Sequence, residues 1–218
     1  MKKFAMCALT LCLTLSGGLA VARVDVDKDY KVLGQAQTPE TAGKIEVLEF
    51  FQYGCSHCYD FEPAMKEWKS RNKAKDVEFR YVPTVWDESR VPQAKIYYTL
   101  ETLGVVDQYH EKVYEAVHEK KLKIWDPEIL KTWVAQQPGL DAKKFDEAYN
   151  SFGVNNKVQR AMQMTKAYRI SGTPTVTVAG KYVTGPAFAI PDGRRPDYAR
   201  VQLIIDELIS MERKKPAK

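Results

Sequence analysis

The run KIEVLEFFQYG, residues 44–54, limits what this chain can fold into more than any other stretch. It is apolar and β-branched with little interruption, and a glycine ends it. A strand with one wet face alternates apolar and polar residues. This one does not, so it reads as a strand buried on both faces, in the middle of an α/β sheet. After Gly54 the period changes. In CSHCYDFEPAMKEWKSRN, Cys58, Phe61, Met65 and Trp68 recur at intervals of three and four, which predicts an amphipathic helix from about Cys55. Pro63 lies inside it and is expected to kink it. DVEFRYVPTVW, residues 76–86, turns Val77, Phe79 and Tyr81 inward as a second strand ending at Pro83. Strand, helix, strand favours parallel pairing through a right-handed crossover.

From Val91 to about Arg169 the pattern is helical throughout. Asp126 with Pro127, and Asp141, read as helix starts. This is too much helix for one crossover, so it reads as a helical subdomain inserted into an α/β domain. Strands resume in TPTVTVAGKYVTG, residues 173–185, a hairpin turning at Ala179-Gly180. The closing helix PDYARVQLIIDELISMERK presents Val201, Ile204, Ile205, Leu208 and Met211 on one face. Residues 23–43 are polar, with one short edge strand expected near YKVLG. The start of the chain has Lys2 and Lys3, an apolar core from Phe4 to Leu15, and the small-x-small pattern Ala20-Val21-Ala22. It reads as a cleavable secretory signal peptide. The short core and Gly17-Gly18 argue against a retained anchor. Met6 and Leu11, before Cys7 and Cys12, argue against lipid attachment. The expected division is a signal peptide at 1–22, an α/β domain at 23–88 and 169–218, and the inserted subdomain at 89–168.

Cleavage would remove two of the four cysteines. The remaining pair, Cys55 and Cys58, would then sit in an exported, oxidising compartment. Three chemistries suit such a pair. A structural zinc needs four ligands, usually two such pairs or a pair with two close histidines. Here His57 lies between the cysteines, while His110 and His118 share a helix patterned for the surface, so zinc is disfavoured. A disulfide closing so short a loop removes little unfolded-state entropy and is a poor staple. Redox catalysis needs an accessible disulfide whose reduced form holds a stabilised thiolate, and the context favours it. Cys55 falls at the first helical turn, where unpaired N–H groups and the positive end of the dipole favour an anion. Cys58, one turn on, is expected to be more buried. Stabilising the Cys55 thiolate favours the dithiol, which makes the disulfide the stronger oxidant.

The segment FFQYGCSHCYDFEP closely resembles the active-site segment of the DsbA family, the thioredoxin-like thiol oxidases of the bacterial periplasm. The EVLEFF strand, the helical insertion, the TPTVTVAGKY hairpin and the closing helix carry the resemblance across the mature chain in outline. It implies an α/β thioredoxin fold with an inserted all-helical subdomain. Cys55 would be the exposed nucleophile and Cys58 the buried resolving cysteine. His57 matches the family's histidine beside the buried cysteine and would stabilise the Cys55 thiolate by charge and hydrogen bonding. Pro174 matches the cis-proline that faces the disulfide. Thr173 before it would offer backbone groups to an extended substrate, in a groove that Tyr53 and Tyr59 flank. Glu49 lies in the buried run, where a carboxylate is costly without a partner. The family's acid at this position sits under the buried cysteine and can handle its proton. The best match for the lysine that partners it is Arg80, which would pair bidentately with Glu49 and hold it ionised. Ser56 stands where a proline is frequent, and Thr173 where many members have valine. Both positions tune potential and partner choice.

The function so implied is thiol:disulfide interchange that introduces disulfides into exported proteins through a mixed disulfide at Cys55, in a Gram-negative periplasm. Substrates would be unfolded or reduced exported proteins. A quinone-linked membrane partner of the DsbB type would reoxidise the pair. No cofactor beyond the Cys55–Cys58 disulfide and no metal is expected, and a monomer is. The net charge of +5 is mild, and no basic patch interleaved with aromatics points to nucleic acid. One rival is a disulfide isomerase or reductase on the same fold. Those often carry a separate dimerisation domain, and little precedes the first clear strand here. Another is a non-catalytic periplasmic chaperone, which would tolerate loss of both cysteines.

Overall fold

A computed structural model describes residues 24–72, 74–191 and 193–214. The expected signal peptide, with Cys7 and Cys12, lies outside them. Five strands form one sheet: β1 (Lys31–Val32), β2 (Ile45–Phe51), β3 (Val77–Pro83), β4 (Thr175–Val178) and β5 (Tyr182–Thr184), in the order β1-β5-β4-β2-β3. β2 runs parallel to β3, from Ile45 level with Val77 to Phe51 level with Pro83. On its other side it is antiparallel to β4. An inner strand covered on both faces must be apolar on both, which accounts for the unbroken apolar run. The sheet is mixed rather than all parallel, because the β4–β5 hairpin folds straight back beside β2. Its turn places Ala179 and Gly180 in the left-handed region, at φ 53° and 64°. A Cβ on Gly180 would lie 2.1 Å from the Gln37 carbonyl oxygen, so glycine alone fits there.

Helix α1 (Ser56–Arg71) leaves the end of β2 and runs on through Pro63. Between β3 and β4 lie α2 (Val91–Thr102), α3 (Val106–His118), α4 (Pro127–Ala135), α5 (Ala142–Tyr149) and α6 (Phe152–Ala167). Asp126 and Asp141 accept backbone N–H bonds as caps of α4 and α5. Ser151 accepts the Val154 N–H and caps α6. α7 (Tyr198–Arg213) closes the chain, with Val201, Ile204, Ile205 and Leu208 buried and Met211 partly so. Val47, Phe61, Met65, Trp68, Val176 and Val178 pack with α7 in one apolar cluster. Leu48, Phe50 and Phe51 pack with Ile96, Leu100 and Val113 of the helical layer in another. The second cluster holds the C-terminal end of β2 and takes in Cys58, with Cys55 packed against it.

Candidate active site

Cys55 is the N-cap of α1, at φ −90° and ψ 116°, and no side chain caps the helix for it. Its sulfur therefore meets the open backbone N–H groups of the first turn. Both cysteines are free thiols, Cys55 half-buried and Cys58 buried. The Cys55 pKa falls to about 5. The Cys58 thiol contributes most by donating to the Cys55 sulfur. Burial opposes the shift, while the Thr173 side chain and the backbone N–H groups of Cys58 and His57 assist it. Cys58 moves the other way, well above its ordinary value, through burial and then through its partner sulfur. One sulfur is thus held as an anion and the other as a thiol.

Across from the pair, the Thr173–Pro174 peptide bond is cis. The Thr173 carbonyl oxygen lies 3.4 Å from Cys55 Sγ and accepts from it in the thiol form. Thr173 is half-buried and Pro174 buried. Gln93, on α2, accepts the Gly54 N–H through Oε1 at 2.8 Å and so holds the residue before the nucleophile. His57 is exposed on the helix surface. Its backbone N–H is the smallest of the contributions that lower the Cys55 pKa.

Glu49 departs from expectation in its partner. It is fully buried, and neither carboxylate oxygen has a hydrogen-bond partner. Arg80 does not pair with it. Residue parity decides this: Glu49 is level with Tyr81, whereas Arg80 is level with Leu48 and so occupies the opposite face. There Arg80 binds Glu46 and Glu40, at 3.0 and 2.6 Å. Nor is Glu49 held ionised. Burial, then the charge of Glu62, push its pKa well up against the weaker pull of Lys69. The unfolded chain would ionise Glu49 in the ordinary carboxylate range, while the folded chain keeps the proton, so Glu49 costs stability as pH rises through that gap. Glu49→Leu is expected to stabilise the protein by about 1–3 kcal/mol at neutral pH. The gain should shrink as pH falls toward the ordinary carboxylate range. Urea unfolding at several pH values measures it, and a gain that does not vary with pH would contradict this account.

Tyr53, expected beside a peptide groove, is 1% exposed. Its hydroxyl bonds His110 Nδ1 at 2.8 Å, inside the protein. Tyr59 is half-buried. Its hydroxyl donates to Glu119, and its ring stacks on His118 with centroids 4.9 Å apart. His110 is not on a surface: it is 4% exposed, with Nε2 3.5 Å from Glu62 Oε2. The sequence pattern placed His110 on a surface helix and gave Glu62 no role. The signal was present, since His110 falls with Val106, Val113, Tyr114 and Val117 on one stripe of α3. Glu62 likewise falls one turn after Cys58.

A thiolate-bearing pair at a helix start, faced by a cis-proline loop, defines a thioredoxin-fold dithiol–disulfide protein. The description DSBA-like thioredoxin domain matches residues 85–198. The thiol:disulfide interchange protein DsbA of Burkholderia cepacia is 38% identical over 192 residues, covering 86% of this chain and 89% of that protein. The protein of the same name from Pseudomonas aeruginosa is 34% identical over 183 residues, covering 84% and 86%. The crystal structure of Pseudomonas aeruginosa DsbA superposes with a TM-score of 0.79 at 33% identity, over 87% of this chain and 95% of that one. The oxidoreductase NmDsbA1 of N. meningitidis superposes with a TM-score of 0.75 at 29% identity, over 86% and 93%. The chain belongs to the DsbA family.

Proposed function

We propose that this chain introduces disulfide bonds into exported proteins by passing on a disulfide between Cys55 and Cys58. One observation carries the direction of electron flow. Cys55, at the open start of α1, has a pKa lowered to about 5, by the Cys58 thiol first of all. A stabilised thiolate favours the reduced pair, so the oxidised pair gives up its disulfide readily. A substrate thiolate attacks Cys55 Sγ, the Cys55–Cys58 bond breaks, and Cys58 takes the electron pair and a proton. A second substrate thiolate then attacks the substrate sulfur of the mixed disulfide and expels the Cys55 thiolate. Thr173 and Pro174 border the nucleophile, and an extended substrate laid beside Thr173 would meet its backbone groups. The exposed His57 imidazole adds positive charge near the sulfur when protonated. Tyr59 lines the helix side of the site.

The reaction needs no bound cofactor, because the electrons end on Cys55 and Cys58. Its substrates are reduced or unfolded exported proteins in the periplasm, and a quinone-linked membrane protein of the DsbB type restores the disulfide. No described helix is long and apolar enough to cross a membrane. The protein works as a monomer. The test is oxidation of a synthetic dithiol peptide by the oxidised mature protein. Rapid, stoichiometric oxidation is expected, with none from Cys55→Ala. Activity retained in Cys55→Ala would overturn the reading. Full rearrangement of a scrambled-disulfide protein would favour the isomerase instead.

A further inference from the structure

Behind Cys58 lies a buried polar cluster. Glu49, Glu62 and His110 are 0%, 6% and 4% exposed, and Tyr53, Tyr81 and Tyr114 are buried around them. Tyr53 Oη bonds His110 Nδ1 at 2.8 Å, and Tyr81 Oη donates to Glu62 Oε1 at 2.9 Å. Five polar atoms of the cluster have no hydrogen-bond partner. These are both Glu49 oxygens, Glu62 Oε2, His110 Nε2 and Tyr114 Oη. Buried polar atoms without partners are rare, and five of the eight among the described residues belong to this cluster. The cluster is continuous with the redox pair, since Tyr114 feels the charges of Cys58, Glu49 and Glu62, in that order after burial. It also reaches outward. A cavity of about 40 Å³ beside Glu62 and His110 is bordered by Lys66, Lys69, Asp107 and Glu111 at the surface between α1 and α3.

We propose that Glu62 and His110 are the outer half of a proton path for Cys58, with Glu49 as its inner half, and that His110 acts on the reacting sulfur as a positioning residue. The proposal rests on Cys55–Cys58 being the reactive pair. When a thiolate attacks Cys55 Sγ, the electron pair of the broken S–S bond goes to Cys58 Sγ, which is too buried to remain an anion. Glu49 gives it the carboxyl proton. The Glu49 carboxylate is reloaded from the Glu62–His110 pair, and that pair takes its proton from solvent through the small cavity. One proton thus passes from water to sulfur for each disulfide opened, and the reverse occurs on reoxidation. Imidazole suits the outer position because it accepts at one nitrogen while donating from the other. Tyr53 holds Nδ1, which aims Nε2 at Glu62. The groups facing His110 are Tyr53 after β2, Glu62 on α1, Tyr81 on β3, Tyr97 on α2 and Tyr114 on α3 itself. The charged groups at the cavity mouth are Lys66, Lys69, Asp107 and Glu111.

The test follows two quantities from about pH 5 to about pH 8, the range in which imidazole titrates. One is the stopped-flow rate at which the oxidised protein oxidises a dithiol peptide. The other is the rate at which the pair approaches equilibrium with glutathione. Wild type, His110→Gln, Glu62→Gln and the double variant are compared. Either single substitution should remove an inflection from the pH–rate profile and lower the rate by on the order of a hundredfold where proton delivery limits it. The double variant should be no slower than the slower single, because the two residues act as one unit. Cys55 should still titrate at about 5. Should His110→Gln not fold, Tyr53→Phe keeps the imidazole and releases Nδ1, and it should shift the inflection. A His110→Gln profile parallel to wild type at every pH, losses that add in the double variant, or a Tyr53→Phe profile coincident with wild type would each overturn the path. The rate of approach to the glutathione equilibrium reads the path in whichever direction electrons flow. A protein that equilibrates with glutathione but does not oxidise the peptide therefore contradicts the oxidase reading and not the path.

Discussion

Cys58→Ala should turn the protein into a covalent trap. Its Cys55 loses the Cys58 donor that lowers its pKa most but keeps Thr173 and the backbone N–H groups at the helix start, so its thiolate still attacks disulfides at neutral pH, and the mixed disulfide it forms has no neighbour to resolve it. An intramolecular thiol one helical turn away works at an effective concentration far above that of any thiol in solution, so clearance should slow by at least about a thousandfold. Non-reducing mass spectrometry after incubation with glutathione disulfide should find the variant as the Cys55 adduct and the wild type as the internal disulfide. Clearance of the adduct at the wild-type rate would contradict this. Two opposing effects make the result informative. Leaving-group strength alone would direct attack to Cys58, since that would expel the more acidic Cys55 thiol. Access opposes it, because Cys58 is 0% exposed. Access wins, and the poorer leaving group must then be protonated as it departs. This is why the acids behind Cys58 matter.

The second large effect is on stability. Relative to the disulfide form, the reduced protein should gain about 1–2 kcal/mol between about pH 5 and about pH 7. The folded Cys55 titrates at about 5, against about 8.5 for an unfolded thiol. A group whose pKa is depressed on folding stabilises the fold above its unfolded value and loses that contribution as pH falls through its folded value. Each unit is worth about 1.4 kcal/mol, reduced here because Cys55 is half open to water. The gain continues up to the ordinary thiol range, above which the raised pKa of Cys58 turns the curve down. The disulfide form has no such titration. Urea unfolding of both forms at a series of pH values tests this, and parallel curves would show that the folded protein does not hold the thiolate.

Residue pattern revealed most of the scaffold. The apolar run at 45–51 could only be an inner strand, and the three-four spacing after Gly54 could only be a helix. Asp126, Asp141 and the Ala179-Gly180 turn each carry a local signal that does not depend on the rest of the fold. The site was less legible where it depends on register. Whether Glu49 faces Arg80 or Tyr81 is a matter of one residue, and a one-residue difference in pairing moves a side chain to the other face. The burial of Tyr53 and His110 was missed for a related reason. A polar residue on an apolar stripe was read by its chemistry rather than its position. The tertiary contact that satisfies it comes from another element, distant in sequence.

Tyr53 carries one more consequence. Its hydroxyl is held by His110 and its carbonyl oxygen by His118 Nε2 at 2.7 Å, two residues of one helix. The residue two before the nucleophile is therefore pinned at both ends to the inserted layer rather than to the sheet that delivers it. A tilt of that layer must either break one of these bonds or drag Gly54 and Cys55 along. The insertion is thus coupled through Tyr53 to the stretch of backbone that carries the redox pair.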